Sequence, residues 1–321
     1  MSFLDNTELT MSQYKVRNWS QYNESLKKRG SVNLWISEDA IKKWQAKRDP
    51  HFIGAPRQYS DDAILCIMML KVVYNLPYRQ LIGFVMSIFL LLKIDLSIPH
   101  FTTVAARARQ LGSHFKKLSR RNPTNLVFDS SGFKIYGEGE WKVRQHGKQK
   151  RRRWKKFHIG VCPHSHEIIV AEVTELETAD CEVGPEILRK APSSVERAIG
   201  DGAYDTWECY KMADEKGQKL IVPPREGAVI NEGNEPWHKA RNESIHQIIG
   251  LGNDEEAIAL WKKLTGYHQR SLAETAFSRF KGTFGGGLFS KHVDNQEVEL
   301  KLKAHVMNEM TRQGMPKGIM V

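Results

Sequence analysis

A chain of 321 residues, 40% of them apolar, can bury a sizeable core as one large domain or two modest ones. Its 48 Lys+Arg against 37 Asp+Glu leave a net charge of +11, which points to a polyanionic partner, most often nucleic acid, with a merely basic soluble enzyme as the alternative. Cys66, Cys162, Cys181 and Cys209 are scattered, with no C-x-x-C pair and no His at zinc spacing, as expected in a reducing cytosol. The N-terminus lacks the layout of a signal peptide, and the most apolar run, Leu81 to Ile94, is too short to span a bilayer.

Residues 1–58 are polar with interspersed aromatics, and Tyr14, Lys15 and Arg17 to Trp19 either contact DNA or pack onto the next domain. Pro50, Gly54 and Pro56 mark a linker. From residue 59 to about 122 the pattern is helical. Ser60 with Asp61-Asp62 starts one helix, Pro77 ends it, a second runs from Tyr78 to about Ile94, and a Pro99-marked turn leads into a third at 101–111. That arrangement fits either a helix-turn-helix or a plain helical bundle, with Thr102, Thr103, Arg107 and Arg109 on the last helix.

After Pro123 the period changes. Strand segments are expected at Asn125–Asp129, Phe133–Tyr136, Phe157–Cys162 and Glu167–Val173, the last two forming a hairpin around His164-Ser-His166. Helices at 181–190 and 206–215 then alternate with strands at 195–201 and 220–222, which implies a mixed α/β sheet with helices on its faces. Residues 225–266 read as a polar, partly helical insertion, and a final helix runs from Asn295 through Met310. His164, His166 and Glu167 are read as a strand-connecting turn rather than a metal site. Trp207, Trp237 and Trp261 are read as core.

Between insertion and final helix lies Tyr267-His-Gln-Arg270-Ser-Leu-Ala-Glu274 and on to Lys281. On a helix at about 100° per residue, Tyr267, Arg270, Glu274 and Lys281 fall within about 60° of one another, beside an apolar stripe of Leu272, Ala273, Ala276, Phe277 and Phe280. Gly282 and Gly285 to Gly287 stop that helix. Taken alone, the row reads as a solvated face with an i,i+4 Arg-Glu pair. Asp129 and Asp201 each end an apolar strand, before Ser130-Ser131-Gly132 and Gly202-Ala203 respectively, where turn formers are ordinary. Together with Glu274 they supply three hard oxygen ligands, the donor set that a pair of divalent ions requires. The segment 142–156 holds nine Lys or Arg among fifteen residues, bracketed by Trp141 and Trp154, and would touch DNA phosphates without reading sequence.

The spacing Tyr-x2-Arg-x3-Glu-x6-Lys, the blocks Phe-Asp-Ser-Ser-Gly-Phe-Lys and Gly-Asp-Gly-Ala-Tyr-Asp, and Gly137-Glu-Gly-Glu-Trp141 with His146-Gly147 resemble the DDE transposases of bacterial insertion sequences, in particular the insertion-sequence family five group. The resemblance spans roughly residues 10–310. It implies an RNase H-like catalytic domain at 123–321, behind a DNA-reading helical region at 59–122 and an N-terminal segment at 1–58. It also implies Mg²⁺-dependent cleavage at transposon ends (Mn²⁺ substituting) and strand transfer into double-stranded target DNA. A homodimer on DNA in the bacterial cytoplasm, at the nucleoid, is the corresponding assembly. Asp129, Asp201 and Glu274 would be the metal-binding triad, and Tyr267, Arg270 and Lys281 would hold the DNA end. Arg107, Arg109, Lys150, Arg151, Arg152, Arg153 and Lys155 are the further DNA contacts expected.

Overall fold

The computed structural model describes residues 14–47, 56–115, 118–119, 121–135 and 154–320. The two ends of the chain meet: β1 (Tyr14–Val16) pairs antiparallel with β8 (Gly318–Met320). Helices α1 (Trp19–Arg29), α2 (Val32–Trp35) and α3 (Glu38–Lys42) come next. Trp35 and Trp44 are buried, and the Trp44 indole donates to the Ser97 carbonyl at 2.9 Å. The N-terminal segment thus packs onto the helices after it, while Lys15, Arg17 and Trp19 stay exposed. Most of the linker expected at Pro50 to Pro56 lies outside the described residues.

The helical region contains α4 (Asp61–Val73), α5 (Tyr78–Leu91) and α6 (Phe101–Ala108). Ser60 caps α4, its hydroxyl accepting from the Ala63 amide at 3.0 Å. α6 ends three residues sooner than the sequence implies and tightens into a 3₁₀ turn, Arg109–Phe115. The connection from α5 to α6 is not tight: it spans residues 92–100, with Ile94, Leu96 and Ile98 folded back onto the core.

The sheet has the order β4-β3-β2-β5-β6. The long β2 (Asn125–Ile135), β3 (Trp154–Val161) and β4 (Ile168–Glu175) form an antiparallel meander. β5 (Arg197–Ile199) and β6 (Lys219–Ile221) run parallel to β2, and β7 (Gly287–Leu288) pairs with its far end. This is a six-stranded mixed sheet flanked by helices, compatible with an RNase H-like arrangement. Leu126 and Phe128 alternate with Val127 and Phe133, so β2 feeds two cores. One lies under α7 (Asp180–Lys190) and α8 (Trp207–Glu215). The insertion folds as α9 (Pro236–Leu251) and α10 (Glu255–Leu264). The other core lies under α11 (Ser271–Phe284) and α12 (Val293–Gln313). Gly282 continues α11, and Gly285, at φ 77°, is the residue that ends it.

α12 packs against α1, α4, α11 and β4, so one apolar core runs from Ile64 and Leu70 to Phe157 and Phe280. The boundary expected near residue 122 separates types of element, and the core crosses it. Phe280 anchors α11 to the sheet, its ring 5.4 Å from both Phe133 and Phe157. Phe280→Ala is expected to cost about 3–5 kcal/mol, read as a lower urea midpoint at unchanged slope. Among the described residues no helix is long and apolar enough to cross a membrane.

Candidate active site

Register brings two aspartates side by side. Val127 on β2 faces Ile199 on the parallel β5, and that is their last paired position. Asp129 and Asp201 each lie two residues beyond it, where the parallel pairing stops: Asp201 past the carboxyl end of β5, and Asp129 within β2 beside it. Asp129 does not end its strand, contrary to the expectation from its sequence context. β2 continues through Ser130, Ser131 and Gly132, which pair with His158, Phe157 and Lys156. These three residues make turns when left to local preference, but here the β3 ladder satisfies their backbone. The Trp154 ring lies 3.4 Å from where a Cβ on Gly132 would be. The expected reading of Ser130 and Ser131 as turn residues is therefore corrected.

Gly200, before Asp201, has no room for a side chain: a Cβ there would lie 2.7 Å from the Phe128 ring. The Asp201 carboxylate accepts from the Ala203 amide at 2.9 Å, capping a short 3₁₀ turn, Gly202–Tyr204. Glu274 comes from the first turn of α11. The row expected on one helix is in fact bent, because Tyr267–Arg270 is a 3₁₀ turn and α11 begins only at Ser271.

That bend places Arg270 among the acids. Its Nη1 donates to Glu274 at 2.6 Å, and its Nη2 lies 3.3 Å from Asp129 and 3.7 Å from Asp201. The i,i+4 Arg-Glu pair therefore persists, widened into a hub of three carboxylates around one guanidinium. The side chains of Asp129, Asp201 and Glu274 are 12%, 31% and 57% exposed, so the cluster opens towards Glu274. Burial raises the Asp129 pKa, with the Ser130 amide and Arg270 opposing. For Arg270, burial lowers the pKa, but Asp129, Tyr267, Glu274 and Asp201 outweigh it and the net shift is upward.

Lys281 donates to the Ser131 hydroxyl at 2.7 Å and lies over the Phe133 ring. Tyr267 is half-buried beside Trp261, which is core as expected. Other expected contacts are placed differently. Arg107 is mostly buried, pairing with Asp61 and with the Tyr59 carbonyl at 3.1 Å. Lys155 is buried against its cross-strand partner Glu175. Arg109 is exposed. Lys150, Arg151, Arg152, Arg153 and the Gly137–Trp141 block lie outside the described residues.

Two supporting networks are not legible in the sequence. Asp205 is fully buried and held bidentately by Arg241 of α9, at 2.8 and 3.0 Å. Arg225 joins them, its amide donating to Asp205 at 3.0 Å and its guanidinium to the Ala203 carbonyl at 2.9 Å. The insertion thereby clamps the loop that carries Asp201. The only hint in the sequence is the place of Asp205 in the same Gly-Asp-Gly-Ala-Tyr-Asp block.

The second network lies across the sheet. The Ser130 amide donates to Asp129 at 2.8 Å, and its hydroxyl donates to Asp180 at 2.8 Å, which also holds Lys156 at 3.1 Å. His158, fully buried nearby, shares a hydrogen bond with the Thr174 hydroxyl at 2.9 Å, and burial pushes its pKa down to about 4. The unfolded chain takes up this proton near pH 6.5, the folded chain only near pH 4. Stability is therefore whole above about 6.5 and falls as the pH drops through that window. A loss of about 2 kcal/mol between pH 7 and pH 5 is expected, and urea midpoints for wild type and His158→Gln isolate it. Glu167 is ion-paired with Arg121 and Arg312, at 2.6 and 2.9 Å, and accepts from Ser119.

Among the described residues no three acidic, His or Cys side chains converge directly on one point. The triad meets through the guanidinium instead. The donor chemistry nonetheless fits divalent cations: carboxylate oxygens of both aspartates face one Nη2 nitrogen, and three carboxylates leave two negative charges unmatched by Arg270. Residues 120–308 match a family model described as a transposase DDE domain, and residues 27–138 match a second model of the same description.

Proposed function

The chain belongs to the transposase DDE-domain family, and from that premise we propose that it cleaves DNA at the ends of an insertion sequence and joins the freed 3′-OH ends to target DNA. The observation that carries this reading is the meeting of Asp129, Asp201 and Glu274, from neighbouring strands and a helix, around Arg270. The family generally uses divalent metal ions. Asp129, Asp201 and Glu274 would hold two Mg²⁺ ions, with Mn²⁺ able to substitute, and such ions stabilise the attacking and leaving oxygens of an in-line phosphoryl displacement. No serine or tyrosine nucleophile is needed, and Ser130 and Ser131 are already committed to Asp180 and Lys281.

Arg270 has two roles in this scheme. It balances the three carboxylates, and its planar fork would suit a DNA phosphate once divalent ions supplied that charge. Lys281, tethered through Ser131 to the strand that carries Asp129, holds a second phosphate, and Tyr267 walls the entry. The helical region at 59–122 reads the inverted repeats, with the exposed Arg109 and Thr102 as reading side chains of α6 and its 3₁₀ extension. Arg107 supports that helix through Asp61. The basic run at 142–156 tracks the phosphate backbone. Replacing Lys150, Arg151, Arg152 and Arg153 by Gln is expected to weaken binding equally on all sequences. It should reduce the slope of log K against log salt by ~0.9 per lost contact, checked by a salt titration.

The deciding experiment incubates purified protein with a supercoiled plasmid carrying the element's ends, with and without Mg²⁺. The expected result is metal-dependent breaks at the ends and joined products. Equal cutting of an end-less plasmid with no joining would make the protein a nuclease on the same kind of core. Specific binding with no cleavage under any metal would make it a regulator.

A further inference from the structure

Between Asp62 and Arg79 the sequence carries a single charge, Lys71, on the otherwise apolar body of α4. Lys71 lines a cavity of about 320 Å³ between α4, the start of α5, the end of α11 and the first half of α12. Three charged residues line that cavity: Lys71, Glu299 and Lys303. Two of them satisfy each other. Lys303, its side chain 5% exposed, donates to Glu299 at 2.8 Å and to the Gly287 carbonyl at 3.2 Å. Glu299 also accepts from the Phe289 and Ser290 amides, at 3.2 and 2.9 Å, which pins the loop between α11 and α12. Lys71 is left over. Its ammonium lies 5.2 Å from the Tyr78 ring centroid, but among the described residues it has no hydrogen-bond acceptor and no ion-pair partner. Burial lowers its pKa, with Glu299 opposing and Lys303 adding to the fall. The wall therefore holds one unmatched positive charge, half-withdrawn from water, where leaving it unpaired is costly.

We propose that this cavity is an anion site, taking at Lys71 a phosphate that carries a flat apolar group, the chemistry of a nucleotide. A half-buried ammonium gains more from a phosphate than an exposed one does, because less water competes for either charge. Tyr78, Thr283 and Ser290 line the same cavity and bring hydroxyl donors for the remaining phosphate oxygens. Much of the remaining wall is apolar, from Met68 and Val72 to Phe284, Val298 and Leu302. Phe289, 51% exposed, presents an aromatic surface of the kind on which bases stack. The volume lies at the small end of ligand pockets, which suits one nucleotide and excludes a duplex. Two sources share this chemistry, a free mononucleotide and one nucleotide of a single DNA strand. Thr283 to Gly285 form part of the wall, so an occupant ties the helix that carries Glu274 to the helical region. The site uses none of the triad residues, so it stands apart from the transposase reading.

The test is calorimetric titration of the full chain with 5′-dAMP, in EDTA so that no divalent ion contributes. A dissociation constant on the order of 10–100 μM is expected for a ligand of this size. Inorganic phosphate, which lacks the apolar group, should bind at least about tenfold more weakly. Lys71→Met keeps the stem and removes the charge, and is expected to weaken 5′-dAMP at least about tenfold. Lys71→Arg, which keeps a cation, retains most of the binding. Unliganded Lys71→Met should keep the wild-type urea midpoint, so that lost binding is not lost fold. Lysine acetylation read by mass spectrometry locates the ligand in wild type: 5′-dAMP should protect Lys71 and leave the exposed Lys93 reactive. Protection by a single-stranded oligonucleotide as well assigns the site to a DNA strand, and protection by 5′-dAMP alone assigns it to a free nucleotide. No binding and no Lys71 protection up to about 10 mM 5′-dAMP, binding unchanged in Lys71→Met, or inorganic phosphate as tight as 5′-dAMP overturns the proposal. Metal-dependent cutting of plasmid ends by a protein that fails this test leaves the transposase reading intact.

Discussion

Asp129→Ala, Asp201→Ala and Glu274→Ala are each expected to lower end cleavage at least a thousandfold, about 4 kcal/mol of barrier, with DNA-end binding largely retained. The expectation comes from how the three side chains are mounted. Asp129 is fixed by two paired strands and the Ser130 amide, and Asp201 by the turn it caps. Glu274 is the most exposed of the three, so its loss disturbs the fold least and gives the cleanest test. Asp129→Asn adds a control: it preserves volume and amide contact while removing charge. Single-turnover cleavage of end DNA across a Mg²⁺ titration reads the effect, and calorimetric metal binding separates lost ions from misplaced DNA. Wild-type cleavage in Asp201→Ala and Glu274→Ala together would sink the assignment.

Arg241→Met is expected to be the most destabilising single change outside the core. It leaves the Asp205 carboxylate fully buried with its bidentate partner gone, although the Arg225 amide remains. Breaking a buried pair from one side costs about 3–5 kcal/mol, which for a chain of this size is roughly a 4–7 °C fall in Tm. Arg241→Met/Asp205→Leu removes both charges and should recover much of that loss, since a buried pair contributes little net stability over an apolar replacement. The functional consequence is separable: with the clamp gone, the Asp201 loop loosens and the Mg²⁺ concentration for half-maximal cleavage rises. A Tm within about 1 °C of wild type in the single variant would show the insertion is not what holds that loop.

Fold and site differ in how far each is legible in the chain. Strand and helix positions after residue 123 follow from periodicity, because alternation and 3.6-residue spacing are local properties of the chain. The departures occur where a partner strand or a packed helix overrides local preference. Ser130-Ser131-Gly132 has turn composition yet stays extended, because β3 supplies its hydrogen bonds. Tyr267 to Arg270 has helical spacing yet tightens into a 3₁₀ turn ahead of α11. Arg107 and Lys155 look like DNA contacts by charge alone, but their burial beside Asp61 and Glu175 is invisible to composition.

Residue identity and local spacing carry the inventory: Asp129, Asp201 and Glu274, the Tyr-Arg-Glu-Lys row, and a mixed α/β architecture behind a helical region. How those parts are used depends on the tertiary fold. It sets Arg270 among the three acids, makes the insertion the clamp on the Asp201 loop through Arg241, and places Lys71 in a cavity wall beside Glu299 and Lys303. Each of these depends on which distant segments touch. Charge pairing and burial act through space over a few ångströms, and sequence separation carries no record of that distance.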